Sequence, residues 1–246
     1  MSKTVIPDLI GDLLWLESVH STNTWALERL PEIPSGTLIA AREQTAGRGQ
    51  RGNTWFTEPG KNLTFSIVLK PEGLKAGDAH LLNYLASVAV AEFLESYCVS
   101  CCIKWPNDIY VGRKKICGIL VENSLSGGCV AASVIGIGIN INQTQFSQLA
   151  NATSLSLVTG KEYVLEECLE AFMAVFESWQ PRLSSISEVY TSRLFQKGIQ
   201  ARYTDYLRGN EEFTGTILGV SPDGRLIIDD GTADRLYRFK EVGYIL

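Results

Sequence analysis

Four short strand-like runs occupy residues 101–104, 109–111, 115–123 and 130–141, and their spacing limits the folds open to this chain. Turn residues separate them: Pro106-Asn107-Asp108, Gly112 and Gly127-Gly128. Gaps this short suit antiparallel hairpins, because a parallel crossover needs about a dozen residues or more. The last run contains Ile135-Gly136-Ile137-Gly138-Ile139, where the two-residue period of a strand puts both glycines on one face. Bare backbone on a strand face marks close approach by a ligand or by another segment.

The flanking sequence adds helices and further strands. A strand-like run over 13–16 leads to Ser21, which reads as the N-cap of a helix over 23–30 that Pro31 stops. Residues 37–42 are β-type, and 63–69 alternate apolar and small polar residues as a half-buried strand does. Leu81, Leu82, Leu85, Val88, Ala89, Phe93 and Leu94 keep a helical period over 78–97. Helices are also predicted over 163–179 and 186–195. After Gly198 the pattern becomes short strands over 214–218, 225–229 and 233–238, which suits a small all-β barrel. The expected organisation is α+β, with one unit over 1–197 and a second over 198–246.

Composition narrows the function classes. The 246 residues are 45% hydrophobic and 20% charged, a globular profile with enough apolar material for a real core. A net charge of −5 argues against a nucleic-acid partner, and the basic clusters at 48–51 and 113–115 suit a compact anion better than a duplex. Neither a secretory signal nor an apolar stretch of the ~20 residues that a membrane span needs is legible, so a soluble, cytoplasmic protein is expected. Cys98 and Cys101 have the spacing of a metal pair, but no second pair follows, and the six cysteines read as reduced, packed thiols.

Three segments carry candidate chemistry. Gly47-Arg48-Gly49-Gln50-Arg51-Gly52-Asn53-Thr54-Trp55 combines exposed backbone N–H groups with arginines, as an anion-binding loop would, although a solvated flexible loop reads equally well. It lacks the Gly-Lys-Ser/Thr of a Walker loop and the βαβ setting of a dinucleotide turn. In Lys104-Trp105-Pro106-Asn107-Asp108 and the following 114–122, Lys115 stands beside a strongly apolar run, a costly place for a cation without an anion. Asn107 and Asp108 read alternatively as plain turn residues. In the third segment, Asn140 after the two glycines could pair with an adenine edge.

Together with Ser21-Thr22-Asn23, these segments resemble the biotin–protein ligase family in order and spacing, closely over about 13–145 and more loosely beyond. The resemblance implies a mixed, largely antiparallel sheet packed with helices, in the manner of class II synthetases and biotin–lipoate ligases, plus a small SH3-like barrel. It implies ATP and biotin as substrates, Mg²⁺, biotinyl-AMP as intermediate and a biotin carboxyl carrier protein as acceptor, and it leaves a homodimer open. By residue, it puts Ser21, Thr22 and Gln44 on the biotin ring and Gly118 beneath it. Gly47, Arg48, Gln50 and Arg51 would fold over the adenylate, and Lys115 would bridge carboxylate and α-phosphate. Trp55, Asn107 and Asn140 would serve the nucleotide, with Trp55 alternatively structural, and Asp108 would contribute to the metal. Lys115, Arg48 and Asp108 are thus the expected catalytic set. Gln50 departs from the family's usual Arg and loses a permanent charge. Lipoate ligases share the fold, but the 104–108 segment and Trp55 speak against them. The helix-turn-helix domain of bifunctional repressors has no counterpart in the twenty residues before Ser21, so DNA binding is not expected.

Overall fold

A computed structural model describes Thr4 and residues 12–146 and 151–245, apart from the Arg51 side chain. Strands β1 (Leu13–Val19), β2 (Leu38–Gln44), β3 (Leu63–Leu69), β4 (Cys102–Lys104), β5 (Asp108–Val111), β6 (Lys114–Ser126) and β7 (Cys129–Ile139) form one sheet. Its order is β1-β2-β3-β7-β6-β5-β4. β1 and β2 run parallel, and every other neighbouring pair runs antiparallel. Turns alone join β4 to β7, as the spacing predicts. Between the paired residues Ser126 and Cys129, Gly127 and Gly128 have φ of 58° and 78°. Both lie in the left-handed region that a two-residue type I′ hairpin needs.

The helices are α1 (Thr22–Glu28), α2 (His80–Ser96), α3 (Leu155–Thr159), α4 (Leu165–Trp179) and α5 (Ile186–Ser192). Ser21 caps α1 as expected, its side chain accepting from Thr24 N. From Leu82 to Leu94, α2 is buried around nearly its whole circumference and forms the centre of the core. Phe93 meets Phe172 of α4, and Tyr84 stacks on Tyr190 of α5 with centroids 3.8 Å apart. The short α3, held by Ser154 at one end and by left-handed Gly160 at the other, was not anticipated.

β3 is buried at all seven positions and is not half-buried as its alternation predicts. Both of its faces are covered. Phe65 meets Phe172 with centroids 5.1 Å apart, while Val68 joins Ala26, Ile33, Ile39 and Val134 in a smaller cluster. Thr64 and Ser66 share the Val68 face by strand period. That face has an apolar patch beside α1 and, next to it, a stretch of small and polar residues.

The C-terminal strands β8 (Gln200–Asp205), β9 (Glu211–Val220), β10 (Leu226–Asp229), β11 (Asp234–Tyr237) and β12 (Val242–Tyr244) form a second, antiparallel sheet. Its order is β11-β10-β9-β8-β12, with two more strands than the three expected. β8 escaped notice because Gln200-Ala201-Arg202-Tyr203-Thr204-Asp205 is mostly polar, and β12 because it is three residues long. Buried Asp205 accepts from Tyr237 Oη at 2.8 Å, giving an inward-facing carboxylate its partner. Tyr203, Ile217, Leu226 and Tyr237 share one continuous buried cluster with Phe65 and Phe172 of the larger body. Among the described residues, no helix is long and apolar enough to cross a membrane.

Candidate active site

A cavity of about 510 Å³ lies on the Ser66 face of the large sheet and reaches the small one. One rung of the sheet makes its floor: Asp108 pairs Gly118, Gly118 pairs Gly138, and Gly138 pairs Thr64. The two strand glycines are there for close approach. A Cβ on Gly136 would come within 2.8 Å of Asn23 Cγ, and one on Gly138 within 2.7 Å of Trp55 Cζ2. The Trp55 ring lies across Gly118 and Gly138, with its indole nitrogen buried and unpartnered.

At one end stand neutral hydrogen-bonding groups from the start of α1, all at most 3% exposed. Thr22 N donates to Gln44 Oε1 at 2.8 Å, and Thr22 Oγ1 lies 3.2 Å from the same oxygen. Ser66 Oγ donates to Asn23 Oδ1 at 2.6 Å and lies 2.7 Å from Thr22 Oγ1. Asn23 Nδ2 donates to Glu122 Oε2 at 2.9 Å.

At the centre, Lys115 Nζ lies 2.6 Å from Asp108 Oδ1 and 5.6 Å from the Trp55 ring centroid. The anion expected opposite this cation is therefore already partly supplied by the chain itself. A bulge sets the lysine on this face: Ile109 pairs Cys117, Tyr110 pairs Lys115, and Ile116 is the extra residue. Behind it, Lys115 N donates to Asn151 O at 2.7 Å, and Lys115 O accepts from Thr153 N at 2.9 Å.

The Gly/Arg segment is more regular than a formless loop. Gly49 N donates to Asn53 O, Trp55 N donates to Gly47 O, and Arg48 bridges Thr54, so the strip folds back on itself as a narrow hairpin. Arg48 lines the cavity and donates to Glu122 Oε1 at 2.7 Å and to Thr24 Oγ1 at 3.2 Å. Gln50 also lines it, its side-chain oxygen buried without a partner. Gly47 sits beneath, against the Trp55 carbonyl, without lining the cavity. The Arg51 side chain lies outside what is described.

Most of the anticipated residues thus converge: Ser21, Thr22, Gln44, Arg48, Gln50, Trp55, Asn107, Asp108, Lys115 and Gly118 line one space. Asn107 does so while tying the turn to β6, its Nδ2 donating to Ile119 O and its carbonyl accepting from Ile119 N. Asn140 is not among the lining residues; it is 3% exposed and donates to Thr153 O at 2.9 Å. Sequence reasoning missed Lys104, whose ammonium lies about 5 Å from the Tyr110 and Tyr244 rings and whose pKa burial lowers, with Asp108 opposing that shift. It also missed Tyr206, Phe239, Lys240 and Tyr244 of the C-terminal part. Only Lys104 gave a signal beforehand, as the first residue of the 104–108 segment.

Residues 15–140 match the model of the biotin/lipoate A/B protein ligase family. The biotin–[acetyl-CoA-carboxylase] ligase of Paracoccus denitrificans is 32% identical over 228 residues, covering 87% of this chain and 92% of that one. The bifunctional ligase/repressor BirA of Salmonella typhimurium is 39% identical over 233 residues, covering 89% of this chain and 70% of that one. Among solved structures, the Aquifex aeolicus biotin protein ligase in complex with biotin and ATP superposes with a TM-score of 0.75 at 27% identity, covering 94% of this chain and 97% of that one. With the family model spanning half of its length and relatives matched over most of theirs, the chain belongs to the biotin/lipoate A/B protein ligase family.

Proposed function

We propose that this chain is an ATP-dependent biotin–protein ligase, which activates biotin as biotinyl-5′-AMP and then transfers it to a lysine of a biotin carboxyl carrier protein. Family membership and the relatives' names support the reaction class. One observation carries the geometry: Lys115 stands on a glycine floor between a neutral hydrogen-bonding end and an end that reaches the small sheet.

Thr22, Gln44 and Ser21 suit a polar, uncharged ring, and Gly118 lets it lie on backbone. The carboxylate then meets Lys115. Its oxygen attacks the α-phosphorus of ATP, the bond to the β-phosphate oxygen breaks, and pyrophosphate leaves. Lys115 and Arg48 stabilise the charge that develops. A carrier lysine amine next attacks the acyl carbon, the bond to the phosphate oxygen breaks, and AMP leaves. Trp55, Asn107, Gln50 and Arg51 are assigned to the nucleotide, and Gly47 to the approach of the loop. Asn140 we assign to shaping the 151–155 segment behind Lys115, since it holds Thr153 O and its own carbonyl accepts from Leu155 N.

Asp108 fits a role toward Mg²⁺, because that ion is held by one or two carboxylates plus substrate phosphates and not by an all-protein cage. Bound there, it would neutralise phosphate charge and assist pyrophosphate departure. Residues 198–246 are read as an SH3-like unit, a reading supported by their short antiparallel strands; Tyr206, Phe239 and Lys240 bring this unit to the site. A reducing, cytoplasmic setting suits the free cysteines.

The test is direct. Protein, ATP, Mg²⁺, labelled biotin and a carrier domain are incubated together, with labelled lipoate and octanoate in parallel. Label on the carrier lysine with stoichiometric AMP is expected from biotin alone. Transfer from lipoate or octanoate in preference, or from none, overturns the proposal.

A further inference from the structure

Glu122 stands at the end of the apolar run 116–121 and outside the residues assigned above, yet it joins the two halves of the site. Its Oε1 accepts from Arg48 Nη2 at 2.7 Å, and its Oε2 accepts from Asn23 Nδ2 at 2.9 Å. Through Asn23 the chain of contacts continues to Ser66 at 2.6 Å, then to Thr22 at 2.7 Å and Gln44 at 3.2 Å. One carboxylate is therefore shared between the group that would recognise the ring and the arginine that would meet the phosphate. Asn23 cannot easily settle elsewhere, since it lies against the bare backbone of Gly136 and also donates to Leu120 O at 3.2 Å. The arginine keeps donors to spare: Glu122 and Thr24 take two of its five N–H groups, leaving three for an incoming anion.

We infer that Glu122 is a positioning residue for the ligase reaction, holding Arg48 in place through one oxygen and, through the other, the Asn23 amide that contacts Ser66 beside Thr22. The inference rests on the reaction proposed above. Two substitutions separate the two oxygens. Glu122→Gln keeps an acceptor for Asn23 but removes the charge that holds Arg48. Glu122→Ala removes both. The ion pair is half exposed on the Arg48 side, at 43%, so its effect is moderate. Biotin-dependent ATP–pyrophosphate exchange with Glu122→Gln is expected to show kcat lower by roughly 3- to 10-fold, with the KM for biotin within about twofold. Glu122→Ala is expected to raise the biotin KM as well.

The decisive arm is the double-mutant cycle with Arg48→Ala. If Glu122 acts through Arg48, adding Glu122→Gln to Arg48→Ala lowers kcat no further. Independent, multiplying effects overturn the inference, as does a Glu122→Gln protein with unchanged kcat. Thermal unfolding of each variant identifies a merely structural loss, which would lower Tm and affect both backgrounds alike, and that result also overturns it. Wild-type protein serves as the control for the reaction itself: without biotin-dependent exchange there, the ligase reading fails first and the inference with it.

Discussion

Gly138→Ala separates the fold from the site more cleanly than any change of a charged residue. The position has ordinary strand backbone, so alanine is tolerated locally and even favoured over glycine by about 0.5–1 kcal/mol. Space is the difficulty. The new Cβ would meet Trp55 Cε2 most closely and Cζ2 at 2.7 Å, whereas carbon atoms rest at about 3.5–4 Å, so the ring must withdraw by at least about 1 Å. Rigid strand backbone lies on one side, and the loop that carries Trp55 has to move. A withdrawn ring loses contacts worth about 1–3 kcal/mol, partly offset by the gain in strand preference. For a chain of this size the net loss of about 0–2.5 kcal/mol lowers Tm by about 10 °C at most. The floor loses more, since a displacement of about 1 Å in a positioned reactant can cost about 100-fold. Calorimetric unfolding and biotin-dependent pyrophosphate release measure the two quantities, with Gly77→Ala as control because nothing lies within 4 Å of a Cβ there. Pyrophosphate release from Gly138→Ala within threefold of wild type, roughly 0.65 kcal/mol, would refute the close-approach argument.

Further outcomes follow from the same geometry. Lys115→Ala is expected to lower adenylate formation by roughly 100-fold or more, with Tm nearly unchanged because Asp108 keeps access to solvent; release within a few-fold of wild type contradicts the role given to Lys115. His80 has its pKa lowered by burial from 6.5, partly opposed by the Gly77 carbonyl and by Asp78 and Asp223. At His80 the unfolded chain therefore binds more protons, so the contribution of this residue to stability is full above about pH 6.5 and declines as pH falls below it. His80→Gln should flatten that part of a denaturant-midpoint profile against pH, and an identical profile counts against it. Cys98 is exposed, while burial pushes Cys101 up to about 12 and Cys117 well above its ordinary value. A disulfide reagent near pH 8 should modify Cys98 first without loss of ligation; activity that disappears with the first thiol would implicate a cysteine in the chemistry.

What the sequence made legible was local. Ser21 before a short helix, hairpin glycines at 127 and 128, and the apolar period of α2 each act through neighbours within a turn or two, and each stands where expected. Burial of β3 was not legible, because its alternation is set by what covers each face, and the α1 face is covered by residues far away in the chain. Likewise Ser66 and Glu122 read as an ordinary strand serine and a charge at the end of an apolar run. Their partners lie 43 and 99 residues away, at Asn23.

Lys115 marks the limit most clearly. In an unbroken strand, residues 115 and 117 share one face and residue 118 takes the other. Cys117 faces the core with 0% exposure, so regular alternation would bury Lys115 beside it and leave its charge without water. That is why the cation looked costly and why an external anion looked necessary. The extra residue at Ile116 changes the register: Lys115 now pairs Tyr110, Gly118 pairs Asp108, and Lys115, Gly118 and Asp108 all line the cavity. The carboxylate of Asp108 then becomes reachable, and it is the lysine's partner at 2.6 Å. A bulge has no signature in residue types here, since Ile116 is as apolar as its neighbours. The spacing between Lys115 and Gly118, which carries the resemblance to the family, is therefore a three-residue step that only an irregular strand can turn into one shared face.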